Sequence, residues 1–257
     1  MPIIQSLDRA LKIMDLFDEN TTELKITEIS ALMSLHKSTV HSLLKTLQLH
    51  GYISQNDETG KYKLGLKHLE KGQQLLRSMD IRAVARKYLE ALSEQTGQTT
   101  HLVILDGKEG VYIDKVEGVK AAIRYSRIGR RVPLHCSAVG KVLLAFKKGE
   151  EIEATLHHYP FTQSTPSTIN NKVRLLEELE RVRHLGYAID DQENEPGVRC
   201  AATPIRDHAG QVTAAMSIST MVSAVDDGQL QQHIHLLQEK SRTISSQLGF
   251  QDLVSMP

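Results

Sequence analysis

The sequence is poor in cysteine: Cys136 and Cys200 are the only two in 257 residues, and no Cys-x-x-Cys pair occurs. That excludes a disulfide framework and predicts two reduced thiols. Long apolar runs are missing as well. None approaches the roughly 18 residues that suggest a membrane-crossing helix, and MPIIQSLDRALK lacks the ordered charge, apolar stretch and cleavage site of a signal peptide. A cytoplasmic protein without a membrane partner is expected. Neither sign of charge is in excess, since 31 Lys and Arg balance 31 Asp and Glu and the pI is near 7.2. A generally basic, adhesive surface is thereby excluded. No low-complexity tract or internal repeat interrupts the chain.

Motifs for catalysis and for cofactors are absent too. Gly140-Lys141 in AVGKV is a fragment of a phosphate loop, but GxxxxGK[ST] needs glycine where His135 stands and a hydroxyl where Val142 stands. His157-His158 and His233-x-His235 lack Cys or carboxylate partners at metal-ligand spacing and read as exposed helical histidines. Cys136 follows His135 directly, and neighbours on a strand point to opposite faces, so the two make a poor nucleophile and base. No catalytic residue, no metal and no cofactor is expected, and the balance is against an enzyme.

The most informative stretch runs from residue 26 to 64. From Ala31 to Asn56 there is no Asp or Glu. In HKSTVHSLLKTLQLHGY, Val40, Leu43, Leu44 and Leu47 recur on one helical face, while Lys37, Ser38, His41, Ser42, Lys45 and Gln48 fall on the other. An acid-free, donor-rich ridge suits a polyanion, although a solvated helix face reads the same way in isolation. The context supplies the rest. Thr27 is positioned as the N-cap of a preceding helix through Met33, and Ser34-Leu35-His36 is a turn short enough for a helix-turn-helix. Tyr52, Ile53, Tyr62 and Leu64 flank the polar tip QNDETGK, with Gly60 at a turn position, which reads as a two-stranded wing. Ser6 is placed to cap a first helix whose stripe is Leu7, Ala10, Leu11, Met14 and Phe17. Three helices and a wing make a winged helix-turn-helix. Residues 1 to 76 hold nine basic and nine acidic residues, so local segregation of charge, not net charge, carries the DNA-binding reading.

Beyond the wing, Leu66, Leu69, Leu75, Leu76 and Met79 continue a helical pattern that Asp80-Ile81-Arg82 interrupts, before a helix ending near Gln95 with Gly97 as its C-cap. Three segments follow: 1–65 as the DNA-binding domain, 66–81 as a linker helix and 82–257 as a second domain. A bridging helix with an apolar stripe needs a partner, and a second copy of the chain would serve. From Thr99 the pattern turns to short strands, at His101 to Leu105, Val111 to Val116 and Ala121 to Tyr125, then Tyr187 to Asp190, Val198 to Ile205 and Val212 to Ser219. Helices are expected at AVGKVLLAF, Glu150 to His157, Lys172 to Leu185 and Asp227 to Leu248. The fold class is mixed α/β of the α+β kind, a sensor domain of GAF or PAS type built on an antiparallel sheet.

ITEIS, KSTVHSLLKTL, GYI, YSRIGRRVPLHCSAVGKVLLA, GYAIDDQENEPGVRCAATPIRD and AAMSIS together resemble the IclR family of bacterial transcription regulators, in register over nearly the whole chain. Within that family the sequence is most similar to regulators of sugar-acid catabolism, the 2-keto-3-deoxygluconate repressors and a xylonate-responsive regulator. The resemblance implies a winged helix that reads pseudo-palindromic double-stranded operator DNA, with Thr27, Lys37, Ser38, Thr39, His41, Ser42 and Lys45 as its DNA-binding residues. It also implies a homodimer paired through the N-terminal halves, often a dimer of dimers, located on the nucleoid when bound. For the second domain it implies a GAF-like pocket for a small sugar acid, lined by Ser137, Ala138, Val139, Asp190, Val198, Cys200, Ser217 and Ser219.

The residues themselves agree with that pocket without requiring it. Ser137 stands as an N-cap, and the N–H groups of Ala138 and Val139 behind it suit a carboxylate. Alternating Ser217 and Ser219 share one face of a strand, and an ionised Asp190 accepts from ligand hydroxyls. Read singly, Ser137 is as well a structural cap, Cys200 a small buried hydrophobe and Asp190 part of a solvated acidic loop. Repressor, activator and an enzyme acting on the same acid stand as alternatives at this point, in that order.

Overall fold

The computed structural model describes residues 3–18, 20–77, 80–120 and 126–251, with side chains throughout except at 75–77 and 80. The chain divides into two compact units, Met1–Ser78 and Met79–Pro257.

In the first unit, α1 (Gln5–Met14), α2 (Ile26–Met33) and α3 (Lys37–Leu49) precede a small antiparallel hairpin of β1 (Ile53–Gln55) and β2 (Tyr62–Leu64), and α4 (Lys67–Arg77) follows. Their common core is Ile13, Phe17, Leu24, Ile29, Val40, Leu44, Leu47, Ile53 and Tyr62. Leu24 and Tyr62 exchange backbone hydrogen bonds of 2.9 and 2.7 Å, which ties the wing to the segment leading into α2. At the wing tip, Asn56 accepts from the N–H groups of Glu58 and Thr59, and Gly60 takes φ +67, as a tight turn requires.

Three local expectations need correction. Ser6 lies inside α1, whose N-cap is Ile4, so it caps nothing. Thr27 is the second residue of α2, not its cap; the cap position is Lys25, whose N–H donates to the Glu28 carboxylate at 2.6 Å. Acid at the third helical position satisfies an orphan donor there, so a hydroxyl is not needed. The apolar stripe of α1 is also rotated. Ala10, Ile13 and Met14 face the core, with Phe17 just beyond the helix, whereas Leu7 and Leu11 are exposed at 55% and 49%.

The second unit opens with α5 (Asp80–Thr96), which ends on Gly97 at φ +71. Asp80-Ile81-Arg82 therefore starts this helix instead of interrupting it. A six-stranded antiparallel sheet follows, in the spatial order β5-β4-β3-β8-β7-β6. Its strands are β3 (Thr99–Asp106), β4 (Glu109–Val116), β5 (Arg131–Pro133), β6 (Ala188–Asp191), β7 (Val198–Arg206) and β8 (Val212–Met221). The strand expected at Ala121 to Tyr125 lies outside the described residues. The edge strand β5 has no counterpart among the strands expected from the sequence. On it, Arg131 pairs with Asp106 at 2.5 Å and Glu109 at 3.5 Å across the sheet edge.

Helices α6 (Ala138–Ala145), α7 (Gly149–Leu156) and α8 (Lys172–Leu185) share one core with Val198, Cys200 and Ala202 on β7. The alternate residues of β7, among them Ala201, Thr203 and Ile205, turn to the other face, and the Ser241 hydroxyl of α9 (Asp227–Gln247) donates to the Pro204 backbone carbonyl. Between these layers the sheet holds one fully buried imidazole. His101 of β3 lies against Tyr112, with Nε2 at 2.7 Å from Ser126 Oγ and Nδ1 at 3.4 Å from Ser217 Oγ. Burial, then the nearby Lys115 charge, lowers its pKa to about 3.

That shift fixes a pH dependence. A base whose folded pKa lies below its unfolded value contributes stability that is present above about pH 6.5 and lost as pH falls towards the folded pKa. Urea unfolding of the wild type and of His101→Gln should give a stability difference that is constant above pH 7 and moves steadily against the wild type from pH 6.5 to 4. A difference independent of pH over that range would show that His101 is not held neutral.

Candidate functional site

Two surfaces follow from the sequence expectations. On the first unit, Thr27, Lys37, Ser38, His41, Ser42 and Lys45 are exposed, and Thr39 is half-buried. α3 has no acid in its first turn, and among the described residues neither Lys37 nor Lys45 forms an ion pair. The Ser42 hydroxyl donates to the Ser38 carbonyl at 3.1 Å, and Thr46 to Ser42 at 3.0 Å, so these hydroxyls present lone pairs or must swing out to donate. The ridge thus offers two ammonium groups and an imidazole on a helix whose other face is fixed by Val40, Leu44 and Leu47.

In the second unit, Tyr112, Ser137, Ala138, Val139, Asp190, Asn194, Cys200, Ser217 and Ser219 enclose one cavity of about 10 Å³. That is room for a single water molecule. Seven of the eight residues expected to bind an effector meet there; Val198 does not line the cavity but packs in the adjoining core. The convergence follows from sheet register. Asp190 pairs with Cys200 and Cys200 with Ser219, so three strands carry the three side chains in one row. Ser217 stands two residues along from Ser219 on the same face. The Cys200 thiol lies 3.0 Å from Ser219 Oγ.

α6 closes the cavity from above, and every one of its residues is buried. Ser137 is its N-cap: Oγ accepts from Gly140 N–H at 3.1 Å and donates to the Pro133 carbonyl. Its hydroxyl is thereby committed to structure. The N–H groups of Ala138 and Val139, at the first two helical positions, have no intrahelical acceptor and stand at the positive end of the helix dipole.

Asp190 differs from the solvated carboxylate that its acidic surroundings suggest. It is 3% exposed, and Oδ1 accepts from the N–H groups of Glu193 at 2.7 Å and Asn194 at 3.3 Å. Burial, reinforced by the Glu193 charge, pushes its pKa to about 7 in spite of those donors and of Lys141. Near neutrality it is therefore divided between carboxylate and acid, not fully ionised.

The sequence reading missed Tyr112, Asn194 and Lys141. Tyr112 sits on β4 in the VYID alternation, and burial raises its phenol well above the usual range. Asn194 accepts from the Cys136 thiol at 3.7 Å. Lys141, dismissed with the incomplete phosphate loop, is wholly buried and holds Glu193 at 2.6 Å and Glu178 at 3.2 Å. Its spacing of three residues from Ala138, one helical turn, was the available signal.

Other chemistry is structural. Burial pushes the Cys136 thiol up to about 12, so it stays protonated. His135 contacts the Tyr159 hydroxyl and the Thr162 carbonyl at 3.2 and 3.0 Å, filling its polar positions within the core. His157 and His158 are exposed neighbours. Among the described residues no cluster of His, Cys, Asp and Glu could hold a metal ion, and no helix is long and apolar enough to cross a membrane.

Comparison with known proteins assigns both parts of the chain to one family. Residues 6–57 match the IclR helix-turn-helix domain, and residues 73–246 match the family described as bacterial transcriptional regulator IclR C-terminal. The chain is 55% identical over 250 residues to the HTH-type transcriptional regulator XynR of Escherichia coli K12, covering 97% of this chain and 99% of that protein. It is 39% identical over 230 residues to the regulator KdgR of the same strain, with 90% and 88% covered. Among solved structures, IclR of Thermotoga maritima superposes with a TM-score of 0.79 at 35% identity, over 96% of this chain and all of that one. The chain belongs to the IclR family of DNA-binding bacterial transcription regulators.

Proposed function

We propose that this regulator is a repressor of a sugar-acid catabolic operon, released from its operator when an aldonic or 2-keto-3-deoxy sugar acid, xylonate or a close analogue, binds the second unit. One observation carries the reading. The free amide end of α6 faces Asp190, Cys200, Ser217 and Ser219 across a single enclosed cavity. A helix N-terminus suits a carboxylate, and a row of hydroxyl, thiol and carboxyl groups suits a polyol chain, so the two ends of a sugar acid find their counterparts. Xylonate does not fit in about 10 Å³, so binding has to part α6 from the sheet. A ligand that selects this parted conformation has the differential affinity that a switch needs.

In this reading residues 1–65 bind DNA, 66–81 link and 82–257 sense the effector, in a cytoplasmic protein associated with the nucleoid when on DNA. The helical pattern of the linker is divided between α4 and the start of α5. The N-terminal part of α3 enters the major groove, where Ser38, Thr39 and Ser42 mix base and phosphate contacts and Lys37 and Lys45 reach phosphates; Thr27 and His41 flank them. Assembly is a homodimer reading a pseudo-palindrome, and two such dimers form a tetramer. Its patch is Ile3, Ile4, Leu7 and Leu11 of the α1 region with Leu66 and Leu69, all exposed. Met14, on the same helix, packs inward, and the side chains of Leu75, Leu76 and Met79 lie outside the described residues.

Three measurements test these statements. Lys45→Ala should weaken specific and nonspecific DNA binding alike and lower the salt slope by about one unit; an unchanged slope would place Lys45 off the phosphates. Sedimentation at micromolar concentration should find dimers or larger, and Leu7→Glu/Leu11→Glu should shift the distribution towards monomer; a wild-type monomer, with or without operator, would refute the assembly. Asp190→Asn keeps the acceptor for Glu193 and Asn194 but replaces the second oxygen by a donor. It should fold and bind operator as the wild type does while losing about 1.5 to 3 kcal/mol of D-xylonate affinity, roughly ten- to a hundred-fold by calorimetry. Wild-type affinity in that variant would mean the pocket is elsewhere.

A further inference from the structure

We infer that Lys141, which touches no part of the cavity, is the positioning residue of the effector site. The inference rests on the pocket reading above. Lys141 lies on α6 one turn beyond Ala138, and its ammonium has three partners: Glu193 Oε1 at 2.6 Å, Glu178 Oε1 at 3.2 Å and the Ile189 carbonyl at 2.5 Å. Two of those partners belong to the segment that carries Asp190 and Asn194. The ammonium therefore clasps α6, which offers amides for the ligand's carboxylate, to the strap that offers groups for its hydroxyls.

The strap, residues 190–197, has little else to fix it against α6. Its own turn is organised by Asp190 Oδ1, and Thr165 and Thr168, outside α6, anchor the Gln192 and Glu193 carbonyls at 2.6 Å each. Gln192 sits at φ +60, a conformation that a side-chain-bearing residue keeps only when its surroundings hold it. The long Cys136 to Asn194 contact at 3.7 Å is the one other polar link from the start of α6 to the strap among the described residues. A buried ion pair is a poor source of stability, since an apolar pair of similar volume does as well or better, but it fixes geometry sharply. With one ammonium facing Glu193 and Glu178, and Asp190 close by, the clasp also governs how far the strap can move when α6 and the sheet part. Among the described residues Glu193 Oε2 is buried without a hydrogen-bond partner, while Oε1 takes the ammonium.

The test separates position from stability. In Lys141→Met/Glu193→Gln the buried charges are removed together and the volume is kept; Glu178 retains Arg181 at 3.8 Å. This variant should unfold at or above the wild-type temperature and bind operator within twofold of wild type. Calorimetry with D-xylonate should show at least a tenfold weaker affinity, and the concentration for half-release of operator should rise in proportion, with full release retained at saturation. Glu193→Gln alone, which leaves an acceptor for the ammonium, should lose less. Wild-type xylonate affinity in the stable double variant overturns the inference, because a merely structural lysine predicts that result. If the double variant does not fold, the same comparison is made on Glu193→Gln, where wild-type affinity again overturns it and a loss at unchanged operator binding supports it. Failure of the wild type to bind D-xylonate or 2-keto-3-deoxygluconate would instead overturn the pocket reading itself, and the inference with it.

Discussion

A single buried ammonium organises the second unit. Lys141 lies in the middle of α6, a helix with no exposed residue, and reaches α8 through Glu178 and the end of β6 through Ile189 and Glu193. A charge in that position is tolerated only because all three of its donors are satisfied by acceptors from different elements. The layer of helices, the sheet edge and the strap over the cavity are therefore registered against one another by a directional contact, which the surrounding leucines and valines cannot supply because apolar packing is nondirectional.

The same charge balance explains why the acidic strap is not a solvated loop. Asp190, Glu193 and Glu178 crowd around one lysine, so not all three carboxylates are fully compensated. The system responds by raising the proton affinity of Asp190 and of Glu193, in both cases chiefly through burial. A carboxyl group poised near neutrality can either donate to or accept from a hydroxyl, and a polyol offers both. Sequence shows the acids but not their depth. DDQENE reads as surface because four acids in six residues are almost always wet, and only the tertiary placement of Lys141 reverses that prior.

Legibility in the sequence followed the range of the interactions. Strand and helix positions came through because alternation and helical spacing are local, as in α8, where Lys172 to Leu185 is read correctly to the residue. The cavity came through by residue matching, and sheet register supplies its physical basis: Asp190, Cys200 and Ser219 are far apart in the chain and adjacent across three strands. What did not come through was long-range or competitive. Ser6 and Thr27 look like caps, yet chain geometry puts Ile4 and Lys25 at those positions. β5 is three residues at a sheet edge, too short for any periodic signal. Lys141 joins the frame of the cavity through Glu178, Ile189 and Glu193, 37 to 52 residues along the chain, and Asn194 meets Cys136 58 residues away.

The two units solve opposite electrostatic problems with the same bulk neutrality. On α3 two ammonium groups stand exposed, without ion pairs among the described residues and on a face that carries no acid, so their charge is open to a phosphate backbone. Around α6 one ammonium is wholly enclosed and shared among acids, so its charge is available to nothing but the fold. Net charge, zero for the chain and zero for its first 76 residues, registers neither arrangement. Function here depends on where charge is solvated and where it is not. A ligand anion arriving at the α6 amide end would enter a neighbourhood already carrying more carboxylate than ammonium. Its binding free energy must therefore come from the helix amides and from hydroxyl contacts to the strap and to β8, and those contacts form only if the frame holding the strap is rigid.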